Sequence, residues 1–281
     1  MAFFLFLFLL LVFICSEKNG MSDKRILESD EFSNIRIYVD YNCLISSQNT
    51  TDNNLLKRAI ENAKKTIEKL VKVKRLQQKI YLPNYNIRYD KPSDLNEKYD
   101  GCTNKLNEID ADLVIFIREY SQLFDGVLDF ARSEIMKHIT DNDMTTRPLI
   151  GGIAFAFNVR SLPDEDSKFQ AISTIFLHEF THILGFNKTI LEKNNLIKNE
   201  SFPVRMRKEN ITKSFVIGDN VVKTARKYFN CTSMNGVELD VTNGLELNDG
   251  NSIHWNARIL MGDYMIPELY YSEQAISEIT L

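Results

Sequence analysis

A chain of 281 residues with 44% hydrophobic and 26% charged side chains is long enough to bury a sizeable core, which excludes disorder throughout. Its formal net charge of −4 and pI near 5.7 give no basic field for a polyanion, so nucleic acid is not expected as a partner.

The chain opens with Phe3 to Cys15 without a polar residue, a run that suits the core of a signal peptide and is too short to span a bilayer comfortably. Cys15 and Ser16 are small enough for a cleavage site, although no Lys or Arg precedes the run. Residues 1–16 are therefore read as a signal peptide, and the protein as secreted or associated with the cell surface. Cys43, Cys102 and Cys231 remain after cleavage, an odd number that allows one disulfide and leaves one thiol, and no Cys-x-x-Cys spacing points to a redox or metal motif. Acceptor sites at Asn49, Asn187, Asn199, Asn210 and Asn230 suit a secreted glycoprotein.

Alternation of Ile35, Ile37 and Val39 with Arg36, Tyr38 and Asp40 predicts a half-buried strand at 35–41. Between Leu55 and Val73, the residues Leu56, Ala59, Ile60, Ala63, Ile67, Leu70 and Val71 recur at three- and four-residue spacing, which predicts an amphipathic helix with a solvated charged face. Ile80-Tyr81-Leu82 stops at Pro83 and reads as a short strand before a long loop to Asn107. Asp112 to Ile117 has the apolar run of a fully buried strand. Gly151 to Phe157 reads as a glycine-led strand, and Asp164, Asp166 and Ser167 offer caps for a helix that follows. The order of strand, helix, strands and helix implies a sheet with helix packed on it, α/β or α+β. Residues 188–250, rich in Asn and Lys with short apolar runs, read as a surface insertion or small subdomain.

The chemistry concentrates in Ser173 to Phe186, where His178-Glu179-x-x-His182 sits in a helical context. Residues four apart stack on one helical face, so two imidazoles converge on one cation at the distances zinc requires. Glu179 lies beside the metal face, close enough to reach a bound water without being a ligand. Two His and a Glu on a buried helix by coincidence is the competing reading, and the scarcity of His, four in the chain, argues against it. His138 lacks a partner motif and reads as a structural or surface side chain. A catalytic zinc wants three protein ligands and an open position. In the extended motif of metzincins the third His lies three residues past the glycine, but that position is Lys188 here. The remaining downstream His is His254, in Ser252-Ile253-His254-Trp255.

With His178-Glu179-x-x-His182-x-x-Gly185-Phe186, Met234-Asn235-Gly236-Val237-Glu238-Leu239, His254-Trp255 followed by Arg258, Tyr264-Met265-x-Pro267, and Arg147 to Gly152, the sequence resembles the leishmanolysin family of metzincins over roughly residues 35–281. The resemblance implies an α+β, metzincin-like zincin fold: a twisted mixed sheet with the active-site helix, and a C-terminal subdomain bearing a long insertion. It divides the mature chain into 17–187, 188–250 and 251–281. It also implies that Gly185 turns the chain away from the metal, that His254 completes the ligand set for one zinc ion, and that Met265 underlies the zinc as a Met-turn.

The expected activity is that of a metalloendopeptidase acting on proteins or peptides, with Glu179 as the base and substrate pairing as an added strand along Gly152, Ile153, Ala154 and Phe155. A third ligand from a carboxylate, Glu192 or Glu238, is the alternative within the enzyme class. A secreted, non-catalytic glycoprotein with an adhesion role is the alternative outside it. Two departures from the family pattern stand out. No propeptide motif with a zinc-blocking cysteine occurs between Glu17 and Ile35, and the sequence stops soon after Met265, where the family continues into a helix and a cysteine-rich domain. The reading is therefore of a fragment, a truncated gene product or a degenerate copy.

Overall fold

The computed structural model describes residues 32–44, 50–76, 78–81, 108–119, 129–138, 147–157, 164–203, 210–240, 253–267 and 274–281. The signal-peptide stretch, Cys15, Asn49, Cys102, the 83–107 loop and the side chains of Cys43 and His138 lie outside them. The chain forms two compact units that meet in sequence between Leu184 and Gly185.

The first unit contains, in order, β1 (Ser33–Asn34), β2 (Ile37–Cys43), α1 (Thr50–Leu70), β3 (Lys72–Val73), β4 (Ile80–Tyr81), β5 (Glu108–Ile109), β6 (Leu113–Glu119), β7 (Asp129–His138), β8 (Pro148–Phe157) and α2 (Glu165–Leu184). Its main sheet has the order β2-β6-β8-β7. The β2–β6 and β6–β8 pairs are parallel and β8–β7 is antiparallel, so the sheet is mixed.

The apolar run of β6 is buried on both faces. Leu113, Ile115 and Ile117 join a core with Ala59, Ile60 and Ala63 of α1 and Phe176, Phe180 and Ile183 of α2. On the other face, Val114 and Phe116 pack with Ile80, Ile109 and Ile150, so the short antiparallel pair β4–β5 covers the side away from the helices. Two-sided burial is what a central parallel strand needs, and it removes the alternation a one-sided strand would show. The helix at 50–70 ends before Val73 because the chain there turns into sheet pairing: the Val71 carbonyl accepts from the Ile35 amide, and Lys72 and Val73 pair with Asn34 and Ser33.

One expectation is corrected by the topology. Gly152, Ile153, Ala154 and Phe155 do not offer a backbone edge to a substrate. They pair with Phe116, Ile117, Arg118 and Glu119 of β6 on one side and with Glu134, Ser133, Arg132 and Ala131 of β7 on the other. The intervening strand, β7, has no apolar run or clean alternation in sequence, and its backbone takes the position an added strand would need.

The second unit holds α3 (Lys188–Lys193), β9 (Ile197–Pro203), β10 (Asn210–Val216), α4 (Asp219–Tyr228) and β11 (Val237–Glu238). The strands form an antiparallel sheet in the order β11-β10-β9. Asn187 caps α3, its side-chain oxygen accepting from the Thr189 and Ile190 amides. Val216, Val221, Ala225, Val237 and Leu239 are buried, so the short apolar runs of 188–250 still supply a small core. Leu239 forms an antiparallel bridge with Trp255, which ties the His254 segment to this sheet. Cys231 carries an exposed free thiol.

Candidate metal centre

The helix α2 starts at a side-chain cap. Asp164 accepts from the Ser167 amide at 2.7 Å and from its hydroxyl at 3.0 Å, and these bonds hold the carboxyl below its usual range. Glu165 and Asp166 then lie in the first turn, in keeping with the helix dipole. Ile172, Phe176, Phe180 and Ile183 recur at three- and four-residue spacing and enter the core. Phe176 meets Phe155 of β8 edge to face, with ring centroids 5.3 Å apart. The approach is closest at Gly151, where a Cβ atom would lie 2.7 Å from Cγ2 of Ile183. Glycine is thus what allows the turn of helix beside His182 to lie flat on the sheet.

That anchoring fixes the opposite side of the same turns. His178 and His182 are only 3% and 4% exposed, their rings are nearly perpendicular, and their Nε2 atoms lie 2.9 Å apart. A neutral pair at this distance can share one proton, whereas a divalent cation can take both lone pairs at once. Tetrahedral zinc with bonds of 2.0–2.1 Å sets two ligand nitrogens about 3.3 Å apart, so the rings need to part by only a few tenths of an ångström. The donor set therefore fits zinc. Glu179, next to His178, is also buried. After Leu184, Gly185 takes φ of 134°, a conformation that side chains disfavour, and the helix ends there.

In the second unit, His254 is half-buried and its carbonyl accepts from the Asp240 amide at 2.8 Å. The next amide, that of Trp255, donates to the Met265 carbonyl at 2.9 Å. Met265 is fully buried in the turn after Gly262. Of the two candidate carboxylates, Glu238 accepts from Lys213 at 2.8 and 2.9 Å and from the side-chain Nδ2 of Asn256 at 2.8 Å, with Arg258 at 3.5 Å; Glu192 is exposed on α3. Of the three candidate imidazoles, His178 and His182 belong to the first unit and His254 to the second.

Sequence reasoning overlooked two contributors here. Gly151 has the signal of a glycine doublet facing a helix, which Gly151-Gly152 shows. Asp263 immediately precedes Tyr264-Met265-x-Pro267, but besides the Met265 amide its bonding partners are Ser277 and Thr280, beyond any local pattern.

No curated protein matches the chain. A family model described as leishmanolysin matches residues 48–281. With most of its length matched, and with two buried imidazoles and a carboxylate arranged on one helix as zinc chemistry requires, the chain belongs to the leishmanolysin family, whose members are zinc metallopeptidases.

Proposed function

We propose that the protein is a zinc-dependent endopeptidase in which His178, His182 and His254 hold one zinc ion and Glu179 is the catalytic acid–base. The observation that carries this reading is the pair of buried Nε2 atoms 2.9 Å apart on the helix that also buries Glu179. A bound zinc ion supplies Lewis acidity, which lowers the pKa of water toward about 7 and polarises the scissile carbonyl.

The protein's own residues do the rest. Glu179 takes the proton as water attacks and delivers it to the departing amine, so no covalent intermediate forms. Its place on a helix locked into the core by Phe176, Phe180 and Ile183 keeps the carboxylate from wandering, which favours a productive geometry. The helix also stands against β7 and β8. The outer edge of β7 is the edge of the main sheet that ends next to this helix, and it pairs with no strand among the described residues. An extended peptide added there would present its backbone beside α2, with affinity from main-chain hydrogen bonds.

Glu238 as third ligand is disfavoured by its bonds to Lys213, Asn256 and Arg258, since ligation would have to break them. The Met265 floor beneath the zinc and the division at 188–250 remain parts of this proposal. Export belongs to it too, since family members are secreted or surface proteins.

Purified chain, assayed on a denatured protein with and without a zinc chelator, tests the activity. Cleavage that chelation stops and zinc restores supports the peptidase. A folded, zinc-loaded chain that cleaves nothing supports the adhesion-type glycoprotein instead.

A further inference from the structure

Around the buried Trp255 the second unit contains a closed hydrogen-bond circuit. The indole Nε1–H donates to the Thr280 hydroxyl at 2.8 Å, and that hydroxyl donates to Oδ2 of Asp263 at 2.7 Å. The other carboxylate oxygen, Oδ1, accepts from the Met265 amide at 2.7 Å. The Met265 carbonyl then accepts from the backbone amide of Trp255 at 2.9 Å, which returns the circuit to its start. Trp255, Asp263, Met265 and Thr280 are all buried. An indole N–H can only donate and a carboxylate can only accept, so the residue between them must do both. A hydroxyl does, and Thr280 supplies it. Ser277 strengthens the same end, its amide donating to Asp263 at 3.0 Å.

We propose that Thr280 is a positioning residue for His254, acting through Asp263 and Trp255; the consequence for zinc rests on the ligand set proposed above. His254 immediately precedes Trp255, and its carbonyl is fixed from the other side by the Asp240 amide. The imidazole therefore leaves a backbone gripped on both flanks, one grip being the sheet at 238–240 and the other the circuit. Loss of the Thr280 hydroxyl strips a partner from a buried indole N–H and from a buried carboxylate together, in a dry environment where unmade bonds are costly. The circuit then has no reason to stay closed, and the orientation of His254 loosens with it.

The test uses the full chain. Trp255 is its single tryptophan, so tryptophan emission reports on the surroundings of this one indole. Thr280→Val keeps shape and removes the hydroxyl; Thr280→Ser restores it. The expected result is unchanged far-ultraviolet circular dichroism for Thr280→Val, with red-shifted emission and amide exchange in 253–267 faster by about tenfold or more. Zinc retention in chelator competition weakens by roughly 10- to 100-fold, and Thr280→Ser recovers all three readouts. Unchanged exchange and zinc retention in folded Thr280→Val overturn the proposal, and so does a Thr280→Ser chain that behaves like the valine variant. Should Thr280→Val not fold, Ser277→Ala decides, since its hydroxyl accepts from the Thr280 amide at 3.2 Å. The same shifts, smaller, support the role, and their absence refutes it. A wild-type chain that holds no stoichiometric zinc sinks the metallopeptidase reading, while exchange at 253–267 still judges the positioning role.

Discussion

In α2, three chemically active side chains come from five consecutive residues, His178 to His182, and helical geometry alone brings them to neighbouring positions. Around His254 no such economy exists. The backbone there is gripped by Asp240 and Met265, Met265 in turn by Asp263, and Asp263 by the 277–280 turn. The first arrangement is cheap in information, since one stretch of helix supplies it. The second draws on four separate stretches of chain, so substitutions far from His254 in sequence can reach it.

The largest effect expected from this contrast is at the ligands. His182→Ala and His254→Ala should each reduce chelator-sensitive cleavage to the baseline of chelated wild type, with zinc lost on dialysis, measured by elemental analysis. If His254→Ala keeps its zinc, the distributed half is no part of the centre and the contrast collapses. Glu179→Gln should come next. It keeps the metal and the fold, and lowers turnover by about 10²- to 10⁴-fold, the usual contribution of a positioned acid–base. Full activity in zinc-loaded Glu179→Gln rules out the assigned role.

The same contrast explains what could be read from sequence. The periodicities of α1 and α2 and the apolar run of β6 were legible because burial on a helix face or in a central strand imposes a regular pattern. So was His178-Glu179-x-x-His182, since its spacing is the geometry. The strand β7 was not, because residues 129–138 mix Arg132, Glu134 and Lys137 among their apolar positions, and backbone pairing with β8 leaves no mark on side-chain order. Asp263 escaped for a related reason. Its partners lie 2, 14 and 17 residues away, and one carboxylate serving a local amide and a remote hydroxyl has no period. Residues 188–250 read as a surface insertion or small subdomain, yet Val216, Val221 and Val237 are enough when three antiparallel strands supply the remaining order.

A third prediction probes packing rather than chemistry. Gly151→Ala puts a methyl group 2.7 Å from Cγ2 of buried Ile183, and overpacking of this kind costs about 1–3 kcal/mol. Thermal unfolding should show the loss. Turnover should fall as well, because the turn that is pushed off the sheet carries His182. An unchanged melting temperature would mean that α2 shifts freely on β8, against its role as the rigid half.

The smallest effect sharpens the contrast from the other direction, because the first unit also has one distributed polar knot. The Asp112 side chain is fully buried. It accepts from the Arg36 amide and Nε, both at 3.0 Å, and from the Leu76 amide at 3.2 Å, joining three stretches of chain. Burial pushes its carboxyl up, but the hydrogen bonds from Arg36 and Leu76 and the Arg36 charge together outweigh that and hold it below the usual range. A depressed folded-state pKa gives stability that is fully present above the unfolded value, about 3.9, and that is lost as pH falls through the folded one. Melting temperature followed from pH 6 down to pH 3 should therefore drop more steeply for wild type than for Asp112→Asn, which cannot take up a proton and has already lost the charge-assisted bonds. Parallel curves would show that the knot adds nothing that titrates. Divergent ones would show that the legible half of the molecule, too, depends on contacts with no signature in local sequence.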